Sequence, residues 1–242
     1  MKEAEIKGKS ENIDKADEYF EQALILNQDL KSEIENKKRS LVQHYFDMAK
    51  NDAIEKPNLN RIHRYYEYLK KCEQKWDMNI EEKINKEKAE TMRVAGVTLA
   101  GKGEMNDVVE AMNQSSELGG KIAAGEWNEL CASGIKPENI DKIEFLYDQI
   151  KDACEKAVKL EEEHGGYKGN LGILLAVTSG SEKDTEGNHL TGAMEYLKEF
   201  QNWSTDENLK RQIGEWIEKM SKYKYPINDK KREQIKDIFY SN

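Results

Sequence analysis

Along the stretch Ile13 to Leu26, IDKADEYFEQALIL, the apolar and small residues fall at Ile13, Ala16, Phe20, Ala23 and Leu26, with charged and amide side chains between them. Steps of three and four put these five on one face of an α-helix. The same frame returns 46 residues on, at Leu59, Ile62, Tyr66, Leu69 and Cys72, and again at Met105, Val108, Met112, Ser115 and Leu118. A recurrence in the range of roughly 20–50 residues is the mark of stacked repeats. A longer helical segment, 32–50, precedes the second frame and carries Ile34, Leu41, Val42, Tyr45, Phe46 and Ala49. Before the third frame, Ile80 and Ala95 stand where Ile34 and Ala49 stood.

Punctuation supports the same division. Pro57 interrupts, with Asn58 as the predicted N-cap of the next helix. Gly101-Lys102-Gly103 makes a turn, and Gly119-Gly120 breaks the register. Beyond it the pattern predicts a short helix over 125–132 and a longer one from Pro137 to about Glu163, ended by His164-Gly165-Gly166. Next comes 167–178, where Gly169, Gly172 and Ala176 permit close helix approach. The segment 179–188, SGSEKDTEGN, has no apolar side chain and is expected to be an exposed, mobile loop. Helices over 190–203, from the Asp206 cap to Met220, and over 229–239 complete the chain. No stretch has strand patterning.

The expectation is an all-α chain of about ten helices in two parts, 1–120 and 121–242, forming one continuous solenoid. Phe20, Tyr66, Met112, Leu197 and Trp216 are expected to be buried between helices. About ten highly charged residues precede Ile13 and make a poor helix. Either the first unit lacks half of itself, or the chain is the end of a longer protein.

Composition narrows the function classes. Hydrophobic residues are 37% and charged residues 35%, which suits an elongated stack with a thin core better than a single thick globule. Three prolines and a sustained helical period argue against disorder. The net charge of −9 disfavours nucleic-acid binding driven by bulk charge and gives a mild bias towards basic partners. Cys72, Cys131 and Cys154 form no recognisable disulfide framework or paired metal motif, so a reducing cytoplasm is expected. The start lacks a signal-peptide core, and the longest apolar run, 173–177, is far too short to span a membrane.

At the frame positions the chain resembles the tetratricopeptide (TPR) repeat family, whose second helix carries a small residue, an aromatic four later and a small residue three later. Ala16, Phe20 and Ala23 match that pattern in full. Ile62, Tyr66 and Leu69, and Val108, Met112 and Ser115, match it in part. Leu171-Gly172, and more loosely Ala95-Gly96, are similar to the family's first-helix pair. The resemblance implies a TPR-like α-solenoid of helical hairpins, with about 46-residue repeats in the N-terminal half and capping helices at the C-terminus. The family's period is about 34 residues, and the longer one also suits HEAT-type repeats, the architectural alternative.

Transferring the family's groove positions puts His44, Asp47, Asn51, Glu90, Arg93 and Val97 on a concave face, implying a scaffold or adaptor that binds a protein partner and not an enzyme. A second resemblance covers about 126–239, through 153–158 (ACEKAV), Gly166-Tyr167, Gly192-Ala193, Trp203, Arg211-Gln212 and 215–218 (EWIE). It is to a C-terminal repeat region of bacterial multidomain proteins with caspase-like protease or NTPase modules. This implies, as the alternative function, a substrate or regulatory subunit of a protease-based defence or signalling system, with a caspase-like protease or other effector as partner.

Candidate chemistry is sparse, and no cofactor or metal is expected. Glu161-Glu162-Glu163-His164 with His189 could gather a metal, but a solvated helix end explains it more simply. Cys131 with His164 could make a thiol–base pair, yet nothing nearby in sequence activates them. The basic and aromatic run 61–71 could stack single-stranded nucleic acid; Ile62, Tyr66 and Leu69 are better spent as core. Gly101-Lys102-Gly103 and 165–169 (GGYKG) lack the flanking strand of a phosphate or dinucleotide loop.

Overall fold

Asn58 shows how local chemistry starts a helix in this chain. Its backbone is extended (φ −137°, ψ 101°), and its side chain accepts the Arg61 N–H at 3.0 Å. One of the donors that every helix start leaves unpaired is thereby satisfied. Asp206 does the same for the N–H groups of Asn208 and Leu209.

A computed structural model describes residues 13–102 and 104–240, with 140–144 as backbone alone. The described residues form no strand. Their α-helices run, in order, α1 Ile13–Leu26, α2 Lys31–Glu55, α3 Leu59–Trp76, α4 Glu81–Ala100, α5 Met105–Glu117, α6 Ala124–Gly134, α7 Ile143–Leu160, α8 Gly165–Thr178, α9 His189–Trp203, α10 Glu207–Met220 and α11 Asp229–Tyr240. Short 3-10 turns occupy Gln28–Leu30 and Pro137–Lys142. The poor helix expected before Ile13, and Gly103 of the expected turn, lie outside the described residues. The described residues form two units: those up to Leu99 with Glu110–Lys121, and those from Ala100 to Val109 with those from Ile122 onward.

Helices α1, α3 and α5 begin at Ile13, Leu59 and Met105, the opening positions of the three frames. Every frame residue of α3 is buried, as are Ile13, Ala16 and Phe20 of α1. Leu26, by contrast, is 86% exposed. Phe20 meets Trp76 edge-on, and the Trp76 indole N–H donates to Asp17 at 2.6 Å, tying α1 to α3.

Helices α2 and α3 form an antiparallel hairpin: Phe46 packs on Tyr66, Tyr45 on Tyr65 and Tyr68, and Arg61 pairs with Asp52 at 3.0 Å. Thus the aromatics of 61–71 are packing residues; Tyr65 and Tyr66 are buried. Helices α3 and α4 are linked by the buried Tyr66–Thr91 hydroxyl pair at 2.7 Å. Helix α5 approaches α4 where Gly96 leaves room for the Met112 side chain, 3.0 Å from where a β-carbon would stand.

The second unit departs from expectation at several points. Residues 137–142 are a tight 3-10 turn, not the first turns of α7; there Asn139 is buried and donates to the Ser133 carbonyl at 2.8 Å. His164-Gly165-Gly166 does not end α7, which stops at Leu160. Gly165 opens α8 instead, because Trp203 fills the space where a β-carbon would be. Phe200 presses on Gly169 in the same way, and the Ala193 carbonyl lies 3.1 Å from the β-carbon position of Gly172. Helices α8 and α9 are therefore packed glycine face to aromatic face. Leu197 is buried, but Trp216 is only half-buried, its ring edge-on to Phe239 at 5.1 Å.

Cys131 and Cys154 are bonded to each other, joining α6 to α7, with both sulfurs buried. This corrects the reading of the cysteines as an unpaired set. It also removes cysteine usage as grounds for a reducing compartment, and it leaves Cys131 with no thiol to act as a nucleophile. No helix among the described residues is long and apolar enough to cross a membrane.

Candidate functional site

Helices α2 and α4, which carry the six expected groove residues, lie side by side in the first unit. Lys50 pairs with Glu87 at 2.7 Å, and the Lys83 ammonium sits 4.8 Å from the centre of the Phe46 ring. The two contacts advance together along both helices, so α2 and α4 run in the same direction.

His44, Asp47 and Asn51 follow one another along α2. Asp47 and Asn51 are exposed; the half-buried His44 ring leans on Tyr45. Asp47 accepts from the Gln43 amide at 2.9 Å. On α4, Arg93 grips Glu90 through two parallel bonds, Nε–Oε2 at 2.9 Å and Nη2–Oε1 at 2.6 Å. The guanidinium holds the Glu90 carboxyl below its ordinary value, the hydrogen bond being the chief cause. The spacing of three on one helix was a readable signal for this pair.

Val97 is half-buried. Because Lys50 is level with Glu87 and α2 ends at Glu55, Arg93 and Val97 lie past the last turn of α2. The six residues form a staggered band, not one patch. Glu90 also lines a cleft of about 680 Å³ with Glu82, Lys86, Leu118 and Lys121.

The densest polar cluster lies elsewhere, in the second unit, on the segment expected to be a mobile loop. Exposure holds for Glu182, Thr185, Glu186 and Asn188, but Ser179, Ser181 and Asp184 are buried, and the Asp184 side chain is 0% exposed. Asp184 Oδ1 accepts the N–H groups of Asn188 and His189 at 3.0 and 3.1 Å; Oδ2 accepts the Gly180 N–H at 2.8 Å and the Tyr225 hydroxyl at 2.6 Å. Burial works to raise the Asp184 carboxyl, but these donors outweigh it and hold it below its ordinary value. The same burial, and the carboxylate beside it, push the Tyr225 phenol up. Tyr225 in turn accepts the Leu190 N–H at 3.0 Å. Gly180 and Gly187 take left-handed φ of +73° and +67°, which lets the chain wrap one carboxylate so tightly.

His189, at the first turn of α9, is held by its own partners. The Thr178 hydroxyl donates to the Leu174 carbonyl at 2.8 Å, so towards His189 it can only accept. On that basis we assign the proton to Nδ1, 3.2 Å from Thr178 Oγ1, with Nε2 accepting from the Tyr147 hydroxyl at 3.2 Å. Burial holds this imidazole below its ordinary value; Asp184 pulls the other way, and Lys151 adds to the depression. His189 lines a cleft of about 570 Å³ with Lys151, Lys183, Glu186, Glu195 and Tyr196.

Nothing in 179–188 alone announces this cluster, since Tyr225 lies far along the chain. The one local hint is an aspartate set between two glycines.

The remaining candidates are packing or surface. His164 stacks on Tyr167 at 3.8 Å, capping the α8–α9 contact with Trp203. Among the described residues no group of three or more His, Cys, Asp or Glu side chains is arranged to hold a metal ion. No protein-family model, no curated protein and no solved structure matches this chain.

Proposed function

We propose that the chain is a protein-binding helical-repeat scaffold, TPR-like in its stacking, that holds a segment of a partner protein along the outward faces of α2 and α4. The observation that carries this reading is the parallel, side-by-side seating of α2 and α4 through Lys50–Glu87 and Lys83–Phe46. Two first helices set in this way offer a staggered polar band whose backbone is already ordered, and a preformed surface spares a partner the ordering cost of a loop-built site. The helix starts at Ile13, Leu59 and Met105 support a repeat, with the intervening helices α2 and α4 left to face the partner.

His44, Asp47 and Asn51 offer the partner hydrogen-bonding groups. Glu90 and Arg93 offer them as a preset pair. The excess of acid in the chain favours a partner segment with basic residues.

Tagged chain used to capture proteins from its native extract, with mass spectrometry of what is retained, tests the reading. Asp47→Arg combined with Asn51→Arg should abolish retention of the partner while leaving the helical circular dichroism unchanged. Retention at wild-type level would place the contact away from α2.

A further inference from the structure

The Asp184–His189 cluster is built like a device with two settings. Asp184 already holds four donors, two on each oxygen, which fills the acceptor capacity of a carboxylate. His189 is seated as a neutral ring, donating from Nδ1 and accepting at Nε2. Its Nε2 lies 3.9 Å from Asp184 Oδ1. The groups facing it come from every side: Tyr147 and Lys151 from α7, Thr178 from α8, Asp184 and Glu186 from the segment 179–188, and Tyr225, through Asp184, from the turn before α11.

We propose that residues 179–188 are a proton-operated latch: uptake of a proton by His189 forces the Tyr147 hydroxyl to turn from donor to acceptor, brings a fifth donor within reach of Asp184, and releases the segment from the cleft it walls. The proton comes from solvent and lands on Nε2, the nitrogen that accepts in the neutral state. The Tyr147 hydroxyl, 3% exposed, must then turn to accept and give its own proton to another buried partner, Thr178 being within its reach. Nε2–H turns to the nearest anion, Asp184 Oδ1, which already serves Asn188 and His189 backbone N–H groups. Any bond made there is taken from a backbone donor of the segment. Lys183 and Glu186 belong to both the segment and the cleft wall, so release opens one side of the cleft.

The direction with pH follows from the low proton affinity of His189 in the closed state. A base depressed by burial binds its proton more readily once released, so the closed state is favoured at full strength above the ordinary histidine value of about 6.5. It weakens as pH falls below that value. Asp184 contributes nothing to this step, because its carboxyl, held below the ordinary range, stays ionised throughout the window.

Hydrogen exchange of the amides of Gly180, Asn188 and His189 tests the latch in the full chain. Between pH 7.5 and pH 5.0, after correction for intrinsic exchange, their protection should fall, by the factor through which the His189 proton affinity differs between the closed and released states. In His189→Gln, which cannot take up the proton, protection should not vary with pH. Constant protection in the wild type, or the same fall in His189→Gln, overturns the proposal. Should His189→Gln lack the wild-type helical signal, the wild type decides alone. The His189 ring titration, followed by NMR, and the loss of protection must then share one midpoint, and separate midpoints overturn the latch.

Discussion

The phenol of Tyr66 and the hydroxyl of Thr91 meet at 2.7 Å in a fully buried bridge between α3 and α4. The aromatic ring fills the centre of the first unit's packing, and its polar tip is matched to one partner. Two substitutions separate these roles. Tyr66→Ala should cost on the order of 3–5 kcal/mol through the cavity it leaves. Tyr66→Phe keeps the volume and strands Thr91, and should cost about 1–2 kcal/mol. Urea unfolding of both variants checks the order; equal costs would mean that the hydroxyl pair, and not the ring, dominates.

Asp184 should be the most sensitive polar position in the second unit. Asp184→Ala leaves two serially wrapped glycine turns and the Tyr225 hydroxyl without their acceptor, at a cost of about 3 kcal/mol or more. Its folded-state value is depressed, so the stability it lends is present above the unfolded carboxyl value of about 4 and is lost as pH falls below it. Acid titration followed by near-ultraviolet circular dichroism should show this loss in the wild type and not in Asp184→Ala.

The Cys131–Cys154 bond closes a loop with a sequence separation of 23. On the chain-entropy account a loop of that order restricts the unfolded chain by about 3 kcal/mol. Reduction, or Cys131→Ala with Cys154→Ala, should therefore lower the melting temperature of the second unit by several degrees. A melt unaffected by reductant would show that the α6–α7 contact does not depend on the bond.

Two glycines should respond to alanine with opposite signs. Gly169→Ala drives a methyl into the Phe200 ring and should destabilise by about 1–3 kcal/mol. Gly125→Ala, on α6, meets only the Tyr167 hydroxyl at an ordinary 3.6 Å and should stabilise by about 0.5–1 kcal/mol from helix propensity. Thermal melts of the two variants on either side of the wild type would agree with this.

The helices of the first unit were readable because their signal is local. Five apolar positions at steps of three and four, with Asn58 and Pro57 as punctuation, need no knowledge of what they pack against. Their outer ends were not readable: Leu26 continues the frame yet is exposed, since periodicity marks a face but not where its neighbour stops. The buried residues of 179–188 were missed for the converse reason. Composition without apolar residues indicates a solvated loop only if the polar atoms lack partners, and here those of Asp184 are met by Tyr225 from across the second unit. The glycines of α8 gave a mixed result. Close approach was legible at Gly169 and Gly172, but Gly165 was taken as a stop signal because nothing local reveals that Trp203 fills the space of its missing side chain.

The glycine face of α8 has a consequence for how this chain can change over generations. Gly165 and Gly169 are complementary in volume to Trp203 and Phe200, so neither member of a pair is free to drift by itself. A lineage that enlarges Gly169 must first, or at once, shrink Phe200, passing through an intermediate that is either overfilled or hollow. Gly125, by contrast, has room for a methyl and can vary without a matching step elsewhere. The tempo of substitution along α8 and α9 is thus set pairwise, and the record of those paired exchanges would itself trace the line along which the two helices touch.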